Sequence, residues 1–246
     1  MTIMPRFYID SNNIHKDVVF LNEKDSRHAA RVLRLKPGAV VDLIDGKGNS
    51  FRGIVTETEK NRVGVMVDRS SKSSRENGYR FSLAAAVIKP ERMEILVQKS
   101  CELGVFEIFP LLTERTVIKL SEERRQSKAV RWRKIAEESC KQCGLAAIPV
   151  IHEAQSFKSF LARLSNFDTA LIPTLAKTGQ SLRAALEKKN AKNIVALIGP
   201  EGDFTPAEVE QAIASGAVPV GLGPLVLRSE TAAIYVLSAA HVILTG

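Results

Sequence analysis

After about residue 80 the chain alternates between short strand-like runs and longer helix-like runs, and this alternation constrains the fold more than any other feature. Runs such as "FSLAAAVI", "TALI" and "NIVALI" have the length of buried strands, and helical patterns follow them. Strands that alternate with helices form a mostly parallel sheet with helices on both faces, so we predict an α/β domain. The predicted helices cover 91–103, about Glu122 to Gln142, 156–164, 181–189, 206–215 and the residues from about 230.

The first 70 residues have a different pattern. Short alternating segments such as "AVVDLID" and "RVGVMVD" are separated by glycine turns, which predicts a small, mostly β barrel or sandwich with one helical insert, "EKDSRHAARVLRL". The stretch 68–80 is polar and rich in serine, so it is predicted to be a linker. These observations predict domains at 1–72 and 78–246.

The chain is basic, with 35 Lys and Arg residues against 27 Asp and Glu residues. A polyanionic partner is therefore plausible, because clustered cations displace counterions from a phosphate backbone. The helical insert carries Arg27, His28, Arg31 and Arg34 three and four residues apart, which puts them on one helix face. Phosphate contact and a solvated basic face both remain open for this cluster.

The long helix from Glu122 is also rich in Arg and Lys in its first half. Its charges point in too many directions for one binding stripe. We predict a solvated surface around a buried stripe of Val130, Ile135 and Ala136, with nucleic-acid binding as the alternative.

Cysteine content and hydropathy predict a cytoplasmic protein. No apolar run approaches the roughly 20 residues that span a bilayer, and the N-terminus lacks the apolar stretch of a secretory signal. Three cysteines cannot complete a disulfide framework. Cys140 and Cys143 form a C-x-x-C pair that could hold zinc or be redox-active, but the pattern reads as a helix end closed by Gly144, so we predict a structural role and no metal.

The segment "LIGPEGDFTPAEVEQAIASG" predicts one half of a ligand site. Ligands of open α/β sheets bind beyond the carboxyl ends of strands, and "NIVALI" runs directly into "GPEGD". Gly199 and Gly202 would let a ligand approach the backbone, whereas Glu201 and Asp203 would repel phosphate. An adenosine or a cationic ligand fits better. Thr205 and Glu208 form a capping box that begins the next helix.

The next predicted strand ends in "GLGPLVLRSETAA", which predicts the other half of the site. Gly223 again opens the backbone, and four apolar residues supply a wall that would suit an adenine ring: Leu222, Leu225, Val226 and Leu227. Plain core packing is the alternative for these side chains. The helix that follows is apolar on nearly all sides, so it must be buried, partly against a second subunit.

Five segments resemble a known family: "HAARVLRLKPG", "MEILVQKSCELGV", "ESCKQCG", "LIGPEGDF" and "GLGPLVLRSETA". Together they resemble the bacterial ribosomal RNA uridine-N3 methyltransferases of the SPOUT superfamily, which act on uridine 1498 of 16S rRNA in conventional RNA numbering. The resemblance covers essentially the whole chain. Asp203 departs from it, since the family usually has a third glycine there.

The resemblance implies a fold, a cofactor and an assembly. It implies an N-terminal PUA-like β-barrel that helps to hold RNA, a C-terminal SPOUT domain with a deep trefoil knot at about 195–235, and a homodimer. It implies that S-adenosylmethionine lies bent between the two loops. The cofactor residues carried over are Pro173, Thr174, Leu197, Ile198, Gly199, Glu201, Gly202, Leu222, Gly223, Leu225, Val226 and Leu227.

The reaction that the resemblance implies leads to hypotheses for catalytic and RNA-binding residues. Arg228 is our hypothesis for stabilising a uracil anion, and Glu230 either takes the N3 proton or orients Arg228. RNA contacts are expected from Arg6, Arg27, His28, Arg31 and Arg34. The partner would be 16S rRNA, within the small ribosomal subunit.

Two other functions are compatible with the sequence. A ribosome-binding or assembly factor without catalysis could use the basic surfaces and keep the pocket as a relic. A knotted methyltransferase could act instead on transfer RNA or on a ribose 2′-hydroxyl.

Overall fold

The computed structural model of the chain describes residues 4–74, 78–118, 120–174, 179–187 and 191–245. Contacts divide the chain into two units. One unit comprises residues 1–76 together with 140–148, and the other comprises 77–139 together with 149–246. The end of the long helix and the segment after it therefore pack with the N-terminal residues.

The first unit is built on a five-stranded sheet in the order β1-β3-β4-β5-β2. Alternate residues such as Val41, Val55 and Val65 are buried in one apolar cluster, as a half-buried sheet requires. The prediction of a mostly β domain is confirmed. β1 and β2 are the two edge strands of the sheet, and no pairing between them is recorded among the described residues. The strands are β1 Arg6–Tyr8, β2 Val18–Phe20, β3 Val40–Ile44, β4 Asn49–Glu59 and β5 Arg62–Ser74.

The segment predicted to be a linker is largely strand. β5 continues to Ser74, and its last residues pair with β4 through Asn49 and Ser50. Backbone pairing needs no apolar side chains, so the polar composition of this stretch was misleading. Residues 75–77 of the predicted linker lie outside the described residues.

The helical insert is shorter and less regular than predicted. The α-helix α1 covers Glu23–Arg27 and passes into a π-helical turn, His28–Val32. The turn is closed by a hydrogen bond of 3.0 Å from the Leu33 amide to the His28 carbonyl. Arg34 has a φ of 51°, so it lies beyond the helix. The prediction that Arg27, His28, Arg31 and Arg34 share a regular helix face is wrong for this reason.

The second unit contains an eight-stranded sheet in which every recorded pairing is parallel. The order is β11-β13-β10-β12-β6-β7-β8, with β9 also paired to β7. This confirms the predicted parallel sheet. The strands are β6 Arg80–Ala86, β7 Glu107–Leu112, β8 Val150–Ile151, β9 Gln155–Ser156, β10 Thr169–Pro173, β11 Gln180–Ser181, β12 Asn193–Ile198 and β13 Ala217–Gly221.

Helices cover this sheet. Phe157, Phe160 and Ala212 pack in one cluster with Val195 and Leu197 of β12, while the C-terminal helix contacts β6 and β12. Most predicted helices are confirmed, although the one at 156–164 ends early and gives way to a 3-10 turn, Leu164–Asn166. The helices are α2 Pro90–Glu102, α3 Glu122–Cys143, α4 Phe157–Leu161, α5 Leu182–Glu187, α6 Pro206–Ala214 and α7 Ser229–Thr245.

The buried stripe of α3 differs from the predicted one. Ala129, Trp132 and Ala136 are buried at helical spacing, whereas Val130 is 58% exposed. The prediction for Val130 is therefore wrong, because the buried face of the helix contains Trp132 and Val130 lies outside that face. Ala136 was placed correctly, and Ile135 is half-buried.

The cysteines are free. Cys101 and Cys140 are buried and Cys143 is exposed. The amide of Gly144 donates a hydrogen bond of 2.8 Å to the Cys140 carbonyl, which closes the helix as predicted. Within the described ranges, no three His, Cys, Asp or Glu side chains are grouped to bind a metal. The described helices also include none with the length and hydropathy of a membrane span.

Candidate functional site

The first loop, residues 199–205, begins where β12 ends. Its glycine is required by close packing, because a Cβ on Gly199 would lie 2.7 Å from Asp203 Oδ1 and 3.1 Å from the Phe204 amide nitrogen. Asp203 has a φ of 60°, which Asp tolerates better than most residues. Its Oδ1 accepts a hydrogen bond of 2.8 Å from the Phe204 amide. Asp203 thus supplies the turn at the position where glycine was expected.

A capping box fixes the end of this loop. Thr205 Oγ1 accepts a bond of 3.2 Å from the Glu208 amide, and Glu208 Oε2 accepts one of 3.0 Å from the Thr205 amide. The predicted capping box is confirmed, with Pro206 in the first turn of α6.

The segment after β7 holds the same loop from outside. The Glu114 amide donates a bond of 2.9 Å to Glu208 Oε1, and Thr205 Oγ1 lies 3.2 Å from Glu114 Oε2. Arg115 Nη1 donates to the Gly202 carbonyl at 2.6 Å. Sequence analysis did not identify these contacts, because they join residues about 90 positions apart in the chain.

The second loop, residues 222–228, follows β13. Gly223 has a φ of 112°, in the region that favours glycine. Leu225 and Val226 are 72% and 78% exposed. The alternative of plain core packing is therefore wrong for these two side chains. Such exposure of large apolar groups is typical of a ligand or interaction surface.

The two loops and the end of β10 enclose a cavity of about 250 Å³. β10 lies between β12 and β13 in the sheet, so the three strands end at one edge. All the residues predicted to bind the cofactor line this cavity, except Leu197. Sequence analysis missed four further lining residues: Pro200, Asp203, Ser229 and Ala232.

Leu197 has a different environment. Its side chain is fully buried in the apolar cluster beneath the sheet, together with Phe157 and Phe204. Side chains alternate along a strand, so Ile198 faces the cavity and Leu197 faces the core.

The cavity carries negative charge on its first-loop side, from Glu201 and Asp203. Burial raises the pKa of the Asp203 carboxyl, while the hydrogen bond from the Phe204 amide and the charge of Arg115 lower it, with a net upward shift. An ionised Asp203 would therefore gain from a cationic ligand in the cavity.

The structure does not pair the two predicted catalytic residues with each other. Arg228 is exposed, and its side chain makes no recorded hydrogen bond or ion pair with another described residue. Glu230 is buried, and its Oε1 lies 4.0 Å from Arg92 Nε. Its Oε2 is buried without a hydrogen-bond partner among the described atoms. The structure thus gives Glu230 a different cationic neighbour from the one that we expected.

Arg92 was missed by the sequence analysis. It lies in the first turn of α2, after β6, and β6 pairs with β12 so that Ala85 is opposite Ile198. The signal was present, because a helix start after a parallel strand lies at the same sheet edge as the loops. Without the strand order, β6 could not be identified as the neighbour of β12.

The predicted RNA-binding residues have mixed environments. Arg6 Nη2 lies 3.1 Å from Asp42 Oδ2, and its guanidinium is packed closely over Gly144. Arg27 Nη2 pairs with Glu23 Oε1 at 2.9 Å. His28, Arg31 and Arg34 are exposed on and after the π-helical turn. Arg31 and Arg34 are therefore the cations of this group that are most available to a phosphate, and the exposed His28 imidazole lies beside them in the chain.

Comparisons with known proteins give one family for both units. A model described as an RNA methyltransferase domain matches residues 75–241, and an RNA methyltransferase PUA domain matches residues 21–65. Ribosomal RNA small subunit methyltransferase E of Bacillus subtilis is 28% identical over 244 residues, which cover 96% of this chain and 95% of that protein.

Two solved structures are similar over nearly the whole chain. A methyltransferase from Legionella pneumophila in complex with its bound cofactor SAM has a TM-score of 0.84 and 32% identity, and 98% of each chain is covered. A ribosomal RNA small subunit methyltransferase E from Neisseria gonorrhoeae bound to S-adenosyl methionine has a TM-score of 0.84 and 29% identity, with 98% of each chain covered.

Proposed function

We infer that this chain, which belongs to the RNA methyltransferase family whose model it matches, is an S-adenosylmethionine-dependent methyltransferase of small-subunit ribosomal RNA. One observation carries the proposal. All of the residues predicted to hold the cofactor, except Leu197, line a single cavity at the carboxyl edge of a parallel sheet. In detail, we propose that the product is N3-methyluridine at one position of 16S rRNA.

The cavity suits S-adenosylmethionine in shape and charge. Gly202 leaves the backbone of the first loop open, since a Cβ there would meet only Arg115. Leu222, Leu225 and Leu227 offer an apolar surface to the adenine ring. Glu201 and Asp203 favour a cation over phosphate. Bound S-adenosylmethionine supplies a methyl group that its sulfonium has already activated.

The protein must hold the reacting uridine in line with that methyl group. Such positioning can remove roughly 7 to 11 kcal/mol of barrier. Transfer forms a bond between N3 and the methyl carbon, breaks the carbon–sulfur bond and releases the N3 proton. Since N3 lies on the pairing edge, the base must be unpaired or flipped.

Arg228 would stabilise the uracil anion through O2 or O4. A guanidinium that is free of protein carboxylates can point at the developing charge, which supports this role. Glu230 would accept the N3 proton or orient Arg228. Its buried, unpartnered oxygen supports a role as acceptor.

RNA would be held by the first unit. His28, Arg31 and Arg34 are exposed, which supports phosphate contact. We infer weaker roles for Arg6 and Arg27, since each is already paired with a carboxylate. The small ribosomal subunit would be the substrate in the cell, which makes the cytoplasm the proposed location.

We retain the domain boundaries 1–72 and 78–246 and the trefoil knot at about 195–235 as proposals. The path of the chain supports the knot, because it leaves β12, passes β10 to form β13, and returns through α7 to pack on β12 and β6. Such a topology is rare, so physical arguments alone would not have selected it.

A homodimer is proposed through α7. Tyr235 and Val242 are 47% and 67% exposed on this largely apolar helix. They line a shallow apolar groove with Ile234 and Ile243. A second copy that covers this groove would bury it.

The test is nucleoside mass spectrometry of ribosomal RNA from cells with and without the gene. We expect N3-methyluridine to disappear from one site of 16S rRNA and to return with the wild-type gene. Unchanged N3-methyluridine would contradict the proposal. Calorimetry with S-adenosylmethionine distinguishes the proposed methyltransferase from a non-catalytic assembly factor. An assembly factor with a relic pocket would release no heat of binding.

A further inference from the structure

Arg92 lies between the two carboxylates of the site. Arg92 Nη1 is 3.6 Å from Glu201 Oε1, and Arg92 Nε is 4.0 Å from Glu230 Oε1. Arg92 belongs to α2, Glu201 to the first loop and Glu230 to the first turn of α7. One guanidinium thus connects three segments that are far apart in the sequence.

The three side chains that Arg92 brings together are shielded from solvent to different degrees. The side chains of Arg92 and Glu201 are 28% and 30% exposed, and that of Glu230 is 12% exposed. Water screens Glu230 poorly, so a carboxylate there needs a nearby positive charge. Among the described residues, Arg92 is the cation recorded within ion-pair distance of Glu230.

The same guanidinium offsets repulsion between the carboxylates. Glu201 and Glu230 both lie within 4.0 Å of the Arg92 guanidinium, so without Arg92 their two negative charges would share no cation. Like charges beside one another repel and push the side chains apart. Because Glu201 lines the cavity, its displacement would also disturb the cofactor surface.

We propose that Arg92 is a positioning residue, which holds Glu230 in place for the methyl transfer and ties α7 to the first loop. The inference rests on the proposed function, and it adds a residue that acts through Glu230 instead of touching the substrate. Arg fits this role better than Lys, because its fork can face two carboxylates at once.

The experiment is a double-mutant cycle on methylation of small ribosomal subunits. Arg92→Gln keeps part of the aliphatic stem and is expected to lower kcat about 10- to 100-fold, as misplaced groups do. Its effect should nearly vanish when Glu230 is already Gln, because the residue through which Arg92 acts has been removed. Arg92→Lys should recover part of kcat.

A matched control comes from another ion pair of α2, which joins it to α3. Arg131 Nε lies 2.7 Å from Glu94 Oε1 on the exposed side of α2, so Arg131→Gln removes an ion pair of the same helix away from the cavity. The Arg131→Gln variant is expected to keep the kcat of the wild type. Circular dichroism and thermal unfolding of every variant verify that each is folded, and if Arg92→Gln is unfolded the cycle is run with Arg92→Lys.

The outcomes separate this inference from the proposed function. Wild-type protein that binds S-adenosylmethionine but methylates no ribosomal RNA overturns the proposed function, and this role with it. Active wild type with an unchanged Arg92→Gln variant overturns the role of Arg92 alone. Additive losses in the double variant would also overturn it, since they would mean that Arg92 acts independently of Glu230.

Discussion

The two loops that face each other across the cavity are built differently. The first loop is tied down by the Thr205 and Glu208 capping box and by Arg115, which bonds to the Gly202 carbonyl. In the second loop, residues 222–227 make no recorded hydrogen bond with other described residues, and Leu225 is 72% exposed. One side of the site is thus formed by folding, whereas the other has apolar surface left for ligands to cover.

Because of this difference, we expect substitutions in the two loops to have different effects on stability and on function. Substitutions in the first loop should change stability and cofactor binding together, since its side chains support the backbone. Substitutions in the second loop should change binding or turnover and leave folding intact.

Arg228→Ala tests the second loop most strongly. We expect kcat to fall roughly 100- to 1,000-fold, as for the loss of a donor that stabilises an oxyanion. The exposed side chain supports no fold contact among the described residues, so thermal stability should not change. Single-turnover methylation and calorimetry measure the two effects. Equal losses in turnover and in S-adenosylmethionine affinity would make Arg228 a cofactor-binding residue instead.

Gly199→Ala tests the first loop. The new Cβ would lie 2.7 Å from Asp203 Oδ1, so the turn must shift. Overpacking of this kind costs about 1 to 3 kcal/mol, and we expect S-adenosylmethionine affinity to fall about tenfold or more. Gly78→Ala is the matched control, because a Cβ there meets no atom of the described residues within 4 Å. Wild-type affinity in Gly199→Ala would contradict the close packing of this loop.

Thr205→Ala and Leu225→Ala compare the loops directly. Thr205 is buried and its hydroxyl caps α6, so its loss should lower the free energy of unfolding by about 1 kcal/mol. Leu225→Ala should change that free energy by less than about 0.5 kcal/mol and weaken S-adenosylmethionine binding. Chemical denaturation and calorimetry provide the data. If Leu225→Ala is the more destabilising variant, the division between the loops is wrong.

Asp203→Asn is expected to have the smallest effect, and this effect depends on pH. Burial raises the pKa of Asp203 in the folded protein, so the wild type loses stability as pH rises through that pKa. Asn keeps the acceptor for the Phe204 amide and carries no charge. The variant should therefore be slightly more stable at neutral pH, with the advantage shrinking as pH falls. An advantage that is constant with pH would show that the charge is not its cause.

The sequence predicted local features of the fold and site well. Hydrophobic periodicity, glycine and proline positions, and motifs within a few residues signal the parallel sheet, α3, the capping box and most of the cavity residues. Leu197 was assigned to the site although strand alternation turns it toward the core. Long-range contacts were less accessible, as the missed residues Arg92 and Arg115 illustrate, because the strand order brings their segments together.

Errors in the first unit have a similar origin. The polar stretch before residue 75 looked like a linker, yet its backbone pairs with Asn49 and Ser50. The regular spacing of Arg31 and Arg34 suggested one helix face, yet a π-helical turn interrupts it. In both cases backbone hydrogen bonds decided the structure, and side-chain patterns carry little information about them.

Methyl transfer to a defined RNA position in vitro tests the proposed activity of this protein. Purified protein would be incubated with S-adenosylmethionine carrying a deuterated methyl group and with small ribosomal subunits from cells that lack the gene. We predict that the label appears as N3-methyluridine at a single position of 16S rRNA. Label on a ribose 2′-hydroxyl, or no label although the cofactor binds, would contradict the account.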